Sequence, residues 1–142
     1  MNLNTDFIKK LRNSGLRPTK QRLKICEVLF DTEKTFHFTI NDLVKIIREK
    51  LSQKISLATV YNTVHAFKKK GYLKEISINS DKNYFDTNTS IHHHFYDEDT
   101  NELIDCDVNA IDSVNVKNNI TGKKINSVEV LIKVANDTQN QN

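Results

Sequence analysis

Three of the five histidines in this 142-residue chain stand together as His92, His93 and His94. In an extended segment successive side chains point to opposite faces, so His92 and His94 would share one face while His93 points the other way. Two imidazoles at this spacing make half of a metal site, and acidic residues stand close by on both sides. These acids are Asp86, Asp97, Glu98, Asp99 and Asp105. The alternative interpretation is a solvated turn, which adjacent histidines also form.

Charge is divided unevenly along the chain. Residues 1–85 hold 17 Lys and Arg against 8 Asp and Glu, whereas residues 86–142 hold 4 against 10. The basic half suits contact with a polyanion, and the acidic half then has another role.

The two cysteines, Cys26 and Cys106, do not form a Cys-x-x-Cys pair. The chain has no disulfide framework and no recognisable signal peptide. No apolar run approaches the roughly 20 residues that a membrane-spanning helix needs. We therefore expect a cytoplasmic protein with no membrane partner.

The spacing of apolar residues predicts three helices in residues 1–51. They are expected over residues 4–12, 20–31 and 40–51. Thr19 is the predicted cap of the second helix. Thr39 and Asp42 form a predicted capping box at the start of the third, with Asp in place of the usual Glu.

A fourth helix is predicted over residues 57–70, after the cap residue Ser56 and before Gly71. Its apolar stripe is Leu57, Val60, Val64 and Phe67. The opposite side carries small and hydrogen-bonding residues without any Glu, which suits entry into a DNA groove. Two β segments, 72–78 and 83–86, follow around a polar turn and complete the pattern of a winged helix-turn-helix.

The second half predicts a smaller α/β unit. Paired strands are expected over 92–96 and 102–106, and a helix over 108–120 capped by Asp107. The last strand alternates, with Val128, Val130, Ile132 and Val134 on one face. So small a unit buries little surface alone, which indicates pairing with a second copy.

The predicted fold class is therefore α+β. A winged-helix DNA-binding domain is expected over residues 1–86, and a small α/β dimerisation and ligand-sensing domain over 87–135. A disordered tail is expected over 136–142.

Three stretches of the chain resemble the ferric uptake regulator (Fur) superfamily. They are GLRPTKQR at 15–22, SLATVYNTVHAFKKKGYL at 56–73 and YFDTNTSIHHHFYDEDTNELIDC at 84–106. In detail the chain is most similar to the iron response regulators (Irr) of α-proteobacteria. These share the Asn that follows Tyr61, the HHHF run and the lack of cysteine pairs.

The resemblance implies a regulatory metal site and, for the iron response regulators, haem binding at the histidine run. The implied metal ligands are His37, Asp86, His92, His94 and Asp105. The implied haem residues are His92, His93 and His94. Two cysteines are too few for a structural zinc with four thiolates. The only proline, Pro18, follows Arg17, so the Cys-Pro haem motif of some members is absent.

A second family site is only partly kept. His93 and Asp112 match its positions, whereas Ile91 and approximately Asn126 stand where relatives carry histidines. We expect no metal there.

The expected function is a DNA-binding transcription regulator, mainly a repressor of iron and haem homeostasis genes, and not an enzyme. As a homodimer it would read a two-fold symmetric operator on double-stranded DNA. Haem or one divalent metal (iron, manganese or zinc) would modulate the affinity, with haem opposing DNA binding. A haem-delivering protein is a further expected partner. The candidate DNA-contacting residues are Arg17, Lys20, Thr59, Tyr61, Asn62 and Lys69.

Two alternatives come from other classes of protein. A metal or haem buffering protein would use the same histidines but would not need the groove-sized face of the fourth helix. A metallohydrolase could use His92, His94 and Asp86, but no glutamate is placed as a general base.

Overall fold

The computed structural model of the chain describes residues 3–52, 54–107 and 109–138. These residues form two compact units, the first ending at Thr89 and the second beginning at Ser90. The domain boundary expected from the sequence falls slightly earlier, after Asp86. Within the described ranges no helix has the length and apolar character needed to cross a membrane.

Four helices and a three-stranded sheet make up the first unit. The helices are α1 (Leu3–Asn13), α2 (Lys20–Phe30), α3 (Ile40–Leu51) and α4 (Leu57–Lys70). The strands are β1 (His37–Phe38), β2 (Lys74–Asn79) and β3 (Lys82–Asp86), in the antiparallel order β1-β3-β2. The predicted helices and hairpin are confirmed. Strand β1 differs from the prediction, because the sequence indicated only a loop there.

Side-chain caps set the ends of these helices. Ser56 Oγ accepts a hydrogen bond from the Thr59 N–H at 3.1 Å. Thr39 and Asp42 make both bonds of the capping box, at 3.1 and 3.0 Å. Helix α4 ends at Gly71, whose φ of +94° lies in the left-handed region that glycine adopts readily.

The apolar faces of the four helices and of β1 and β3 meet in one core. Its members below 2 % exposure include Leu11, Ile25, Leu29, Phe38, Leu43, Ile47, Val60, Val64 and Phe67. The predicted stripe of α4 is wrong at one position, because Leu57 begins the helix and is 53 % exposed. Thr63 is buried in the same helix, and its hydroxyl donates to the Thr59 carbonyl at 2.7 Å. This bond satisfies a polar group that the apolar pattern could not place.

The second unit contains one three-stranded sheet. Its strands are β4 (His93–Asp97), β5 (Glu102–Cys106) and β6 (Leu131–Val134), in the order β5-β4-β6. Strand β4 pairs antiparallel with β5 and parallel with β6. The predicted hairpin and the final strand are therefore confirmed. Asn101, at a φ of +60°, lies in the turn of the hairpin.

The predicted helix over 108–120 is wrong for the residues that the structure describes there. Residues 112–120 carry no regular secondary structure, and Val108 lies outside the described ranges. Asp107 caps only a turn, accepting the Asn109 N–H at its side chain and the Ala110 N–H at its carbonyl, both at 2.9 Å. The segment is rich in Asn and Val, which have low helix propensity, and the side chains of Val114, Val116 and Ile120 are exposed. Ile120, for example, is 74 % exposed.

The predicted tail begins in the described part of the chain. The Asn136 N–H donates to Asp99 Oδ2. Residues 139–142 of the predicted tail lie outside the described residues.

Candidate metal ligands and DNA-contacting surface

The first unit brings one histidine and one carboxylate together. In the β1–β3 register His37 is the partner of Asp86, and their side chains meet with Nε2 and Oδ2 3.1 Å apart. The Asp86 side chain is 1 % exposed and that of His37 15 %. Thr87 closes the end of the strand pair, since its hydroxyl accepts the Phe36 N–H at 3.0 Å. The short strand thus holds His37 against a buried anion.

The second unit brings two histidines to one carboxylate oxygen. His94 is the register partner of Asp105, and His92 stands on the same face, as the alternation predicts. The Nε2 atoms of His92 and His94 lie 3.2 and 3.3 Å from Asp105 Oδ1, and the two rings have centroids 4.3 Å apart. Both imidazoles are buried, at 8 and 5 % exposure.

A backbone contact orients the His92 ring. Its Nδ1 lies 2.8 Å from the Ser90 carbonyl oxygen. Because a carbonyl can only accept, Nδ1 is the donor, and a neutral ring then keeps the lone pair of Nε2 on the side of Asp105. Metal-ligating histidines are commonly held by such a second contact.

His93 points to the opposite face, as predicted. Its Nδ1 accepts the Val130 N–H at 2.9 Å, which joins β4 to the segment that precedes β6. A neutral ring that accepts at Nδ1 carries its proton on Nε2, so neither nitrogen is ready to coordinate iron without a change of partner. The other positions of the second family site, Ile91, Asp112 and Asn126, are all exposed.

Thiolates add no donor to either group of residues. Cys26 lies in the core of the first unit at 0 % exposure, and burial raises the pKa of its thiol to about 12. Cys106 lies in β5 of the second unit at 4 % exposure. The available donors are imidazole nitrogens and carboxylate oxygens, which suit manganese, iron or zinc as a divalent ion.

The candidate DNA-contacting residues lie on exposed parts of the first unit. Tyr61 is 51 % exposed, and Asn62 and Lys69 are also exposed along α4. Thr59 is half-buried, with its hydroxyl oxygen 2.8 Å from Ser56 Oγ.

One surface hollow is lined by three candidate DNA contacts, Arg17, Lys20 and Thr59, and by three residues that were not among those candidates. The additional residues are Thr19, Gln21 and Arg22. The Arg22 guanidinium donates through Nη1 to the Arg17 carbonyl at 2.9 Å, which fixes the basic turn at the start of α2. The basic run at 15–22 was the sequence signal for Arg22. The sequence places His65 on the open side of α4 but not among the candidate contacts, and its ring packs against Tyr61.

Comparison with known proteins connects these residues to one family. A sequence profile of the Ferric uptake regulator family matches residues 13–134. The peroxide operon regulator of Bacillus subtilis (strain 168) is 31 % identical over 121 residues, covering 84 % of this chain and 81 % of that protein. The ferric uptake regulation protein of Yersinia pestis is 33 % identical over 111 residues, covering 78 % of this chain and 74 % of that protein.

Solved structures share the fold. The structure of the ferric uptake regulator from Pseudomonas aeruginosa with manganese has a TM-score of 0.65 at 22 % identity, covering 92 % of this chain and 97 % of that one. The family comprises metal-responsive transcription regulators that bind DNA and act as dimers, and they are not enzymes. Because the profile spans both units and relatives above 30 % identity align over most of their length, the chain belongs to the ferric uptake regulator family.

Proposed function

We propose that the chain is a dimeric, DNA-binding transcription regulator, mainly a repressor, of iron and haem homeostasis genes. Residues 1–86 bind DNA, and residues 87–135 dimerise and sense the ligand. One divalent cation is held by ligands from both units. The proposed ligands are His37, Asp86, His92, His94 and Asp105. The observation that carries this proposal is that in each unit imidazole Nε2 atoms already face a carboxylate oxygen within 3.3 Å.

The charges of the five side chains fit a dication. The two carboxylates carry a charge of −2 and the three neutral imidazoles carry none, so together the five side chains neutralise one divalent cation. His37 and Asp86 belong to the DNA-binding unit and the other three to the second unit. Ligation from both units would restrict the arrangements that the chain can sample. Occupancy then favours the DNA-competent arrangement only to the extent that this arrangement binds the ion more tightly.

The DNA-binding unit presents two kinds of contact. Tyr61 and Asn62 are exposed on α4 and read base edges, the tyrosine against a thymine methyl and the asparagine against adenine. The remaining four candidates, Arg17, Lys20, Thr59 and Lys69, hold phosphates, which makes binding dependent on salt. Two copies related by a two-fold axis read a symmetric operator. A protein that must reach chromosomal DNA in this way would work in the cytoplasm.

Haem is proposed as the opposing signal, as the resemblance to the iron response regulators implies. His92, His93 and His94 are the residues proposed to hold haem, and His93 would bind it first, since His92 and His94 are buried with their Nε2 atoms turned to Asp105. Binding would require His93 to release the Val130 N–H. A visible-absorption titration of the full chain with haem tests this, and His93→Ala should remove the Soret shift. An unchanged shift in that variant would assign haem to another residue.

A response to peroxide is a second candidate function. It is supported by the 31 % identity to a peroxide operon regulator, and by an imidazole and carboxylate donor set that accepts iron. The iron-loaded and manganese-loaded forms are compared before and after hydrogen peroxide. Loss of operator binding in the iron form alone supports a peroxide sensor, and equal retention in both forms supports the iron and haem function.

A fragment-binding assay tests the regulator against the buffering alternative. Genomic fragments retained by the full chain are identified, and their affinity is measured by mobility shift with manganese or with a chelator. We expect manganese to tighten binding by at least tenfold, a change within the usual range of allosteric coupling energies of about 1–3 kcal/mol. Tyr61→Ala should weaken binding without changing metal affinity. Metal binding without selective DNA retention in the native chain would favour a buffering protein.

A further inference from the structure

Two rings on the open face of α4 are in close contact. Tyr61 and His65 are four residues apart, so they lie on the same side of the helix. Their ring centroids are 4.1 Å apart with an angle of 41° between the planes. Tyr61 is 51 % exposed, whereas His65 is half-buried. The exposed tyrosine therefore rests on a ring that itself reaches toward the core.

The contact continues inward from His65. Its ring meets Phe85 edge-on, with centroids 5.4 Å apart and planes at 84°. Phe85 then stacks on Phe38, with centroids 5.9 Å apart and an angle of 28°. Both phenylalanines are almost fully buried, at 2 and 1 % exposure. Tyr61, His65, Phe85 and Phe38 form a continuous ring series from the surface to the sheet of the first unit.

The inner end of the ring series belongs to the strands that carry two proposed metal ligands. Phe38 and Phe85 are register partners, and the next register pair along β1 and β3 is His37 with Asp86. Successive residues of a strand point to opposite faces, so the rings and the ligand pair lie on the two faces of one strand pair. Because protein interiors leave little free volume, a displacement of these strands would also displace the rings packed against them, Phe85 and then His65.

We propose that His65 is a positioning residue for Tyr61, which links the orientation of the base-reading tyrosine to the state of the His37–Asp86 pair. This inference rests on the proposed function, in which Tyr61 reads bases and His37 and Asp86 bind metal. His65 touches neither DNA nor metal in this role. It holds the Tyr61 ring at one angle and transmits small shifts of β3 through Phe85.

Other rings of the same unit provide an internal comparison. Tyr72 is also half-buried and meets Phe67 edge-on at 6.0 Å, and its polar partners are Asn13 and Lys10 of α1 rather than members of the ring series. Replacing Tyr72 removes a ring of similar burial from the same core without interrupting the ring series. Tyr72→Leu is therefore the matched control for His65→Leu, and His65→Phe tests whether a ring alone is sufficient.

The first test needs no DNA. The full chain is labelled with 3-fluorotyrosine, the Tyr61 fluorine signal is assigned with Tyr61→Phe, and zinc is added as a diamagnetic dication. We expect zinc to shift the Tyr61 signal in the native chain, in His65→Phe and in Tyr72→Leu, but not in His65→Leu. An equal shift in His65→Leu, or none in a native chain that binds zinc by calorimetry, would overturn the link to the ligand pair.

The second test measures base reading directly. Operator duplexes carrying thymine or deoxyuridine differ only by the methyl groups that Tyr61 is proposed to touch. Loss of an aromatic pair worth about 0.5–1.5 kcal/mol corresponds to an affinity loss of about 2- to 10-fold. We expect His65→Leu to lose that affinity on the thymine duplex and to discriminate the two duplexes less than the native chain and Tyr72→Leu do.

Undiminished discrimination in His65→Leu would overturn the positioning role. Absence of zinc binding in the native chain would instead contradict the metal part of the proposed function, and the duplex comparison would still decide whether His65 positions Tyr61. Failure of the native chain to select any DNA fragment would contradict the DNA part, and the fluorine signal would then decide the inference.

Discussion

Asp86→Asn and Asp105→Asn make the same chemical change at two differently exposed positions. Each replaces a carboxylate oxygen that faces an imidazole with a neutral amide of nearly the same shape. The side chain of Asp86 is 1 % exposed, whereas that of Asp105 is 52 % exposed. Asp86 Oδ1 also accepts the Asn88 N–H at 2.8 Å, a bond that an asparagine oxygen can keep. The two variants therefore show how much the loss of one negative charge weakens metal binding at a buried and at an exposed position, with little change in shape.

Screening by water decides the size of each effect. Two unit charges 4 Å apart interact by about 1 kcal/mol in bulk water and by about 4 kcal/mol at an effective dielectric constant of about 20. A dication doubles both values, to about 2 kcal/mol at the exposed site and about 8 kcal/mol as an upper limit at the buried one. Dehydration of the ion and the carboxylate offsets part of the larger value. We expect Asp105→Asn to weaken manganese binding about 10- to 50-fold and Asp86→Asn at least about 1000-fold.

Manganese binding by the full chain is measured from the electron paramagnetic resonance signal of the free ion. Urea unfolding of each variant confirms that the fold is retained. Asp81→Asn, at an exposed acid in the turn between β2 and β3, is the control and should leave the affinity unchanged. A larger loss at Asp105 than at Asp86 would refute the screening argument, and unchanged affinity in both variants would refute the assignment of ligands.

Three further predictions concern stability, and urea unfolding measures all of them. Burial raises the pKa of Cys26 from 9.0 to about 12, so between these pH values the unfolded chain binds fewer protons and stability falls as pH rises. The fall is about 1.4 kcal/mol per pH unit and at most ~4 kcal/mol, and Cys26→Ala should lack it; identical pH slopes in both chains would contradict the buried thiol. Ser56→Ala removes the cap of α4 and should lower the free energy of unfolding by about 1 kcal/mol, whereas Ser56→Thr should retain most of it. Gly71→Ala meets no atom within 4 Å of its new Cβ, so its expected loss of about 1–2 kcal/mol is backbone strain at a φ of +94°, and Gly71→Asn should lose less.

Helix α4 was predictable because its signals are local. Ser56 and Gly71 mark its two ends, and Val60, Val64 and Phe67 follow a helical period. A capping residue and a helical period can both be recognised from neighbouring residues alone. Leu57 was wrongly predicted to be buried. The helical period indicates which residues lie on one side of the helix, but not at which residue along the helix the core begins.

Features that depend on distant partners were less accessible. Strand β1 has only two residues, and it exists because β3 supplies its hydrogen-bonding partner far along the chain. The segment 112–120 shows the reverse case: its helical spacing is approximate, its residues have low helix propensity, and Val114, Val116 and Ile120 are exposed.

The site residues divide in the same way. The shared face of His92 and His94 followed from strand alternation, and the register of β4 and β5 explains why Asp105 meets them. His37 was identified by the family resemblance alone, because nothing local distinguishes a loop histidine between two phenylalanines from a structural residue. The helical period places His65 on the open side of α4, but its proposed positioning role depends on contacts with Tyr61 and Phe85 that no local pattern predicts.

The two-residue strand β1 also limits how the length of this chain can change. His37 and Phe38 face opposite sides, so a slip of this strand by one residue against β3 would place the phenylalanine where the ligand belongs and the imidazole in the core. Residues 31–35, directly before, are all exposed and can absorb insertions without changing that alternation. Insertions and deletions among related sequences should therefore be found before Phe36 and not within β1. The same segment is where protein engineers could graft a loop.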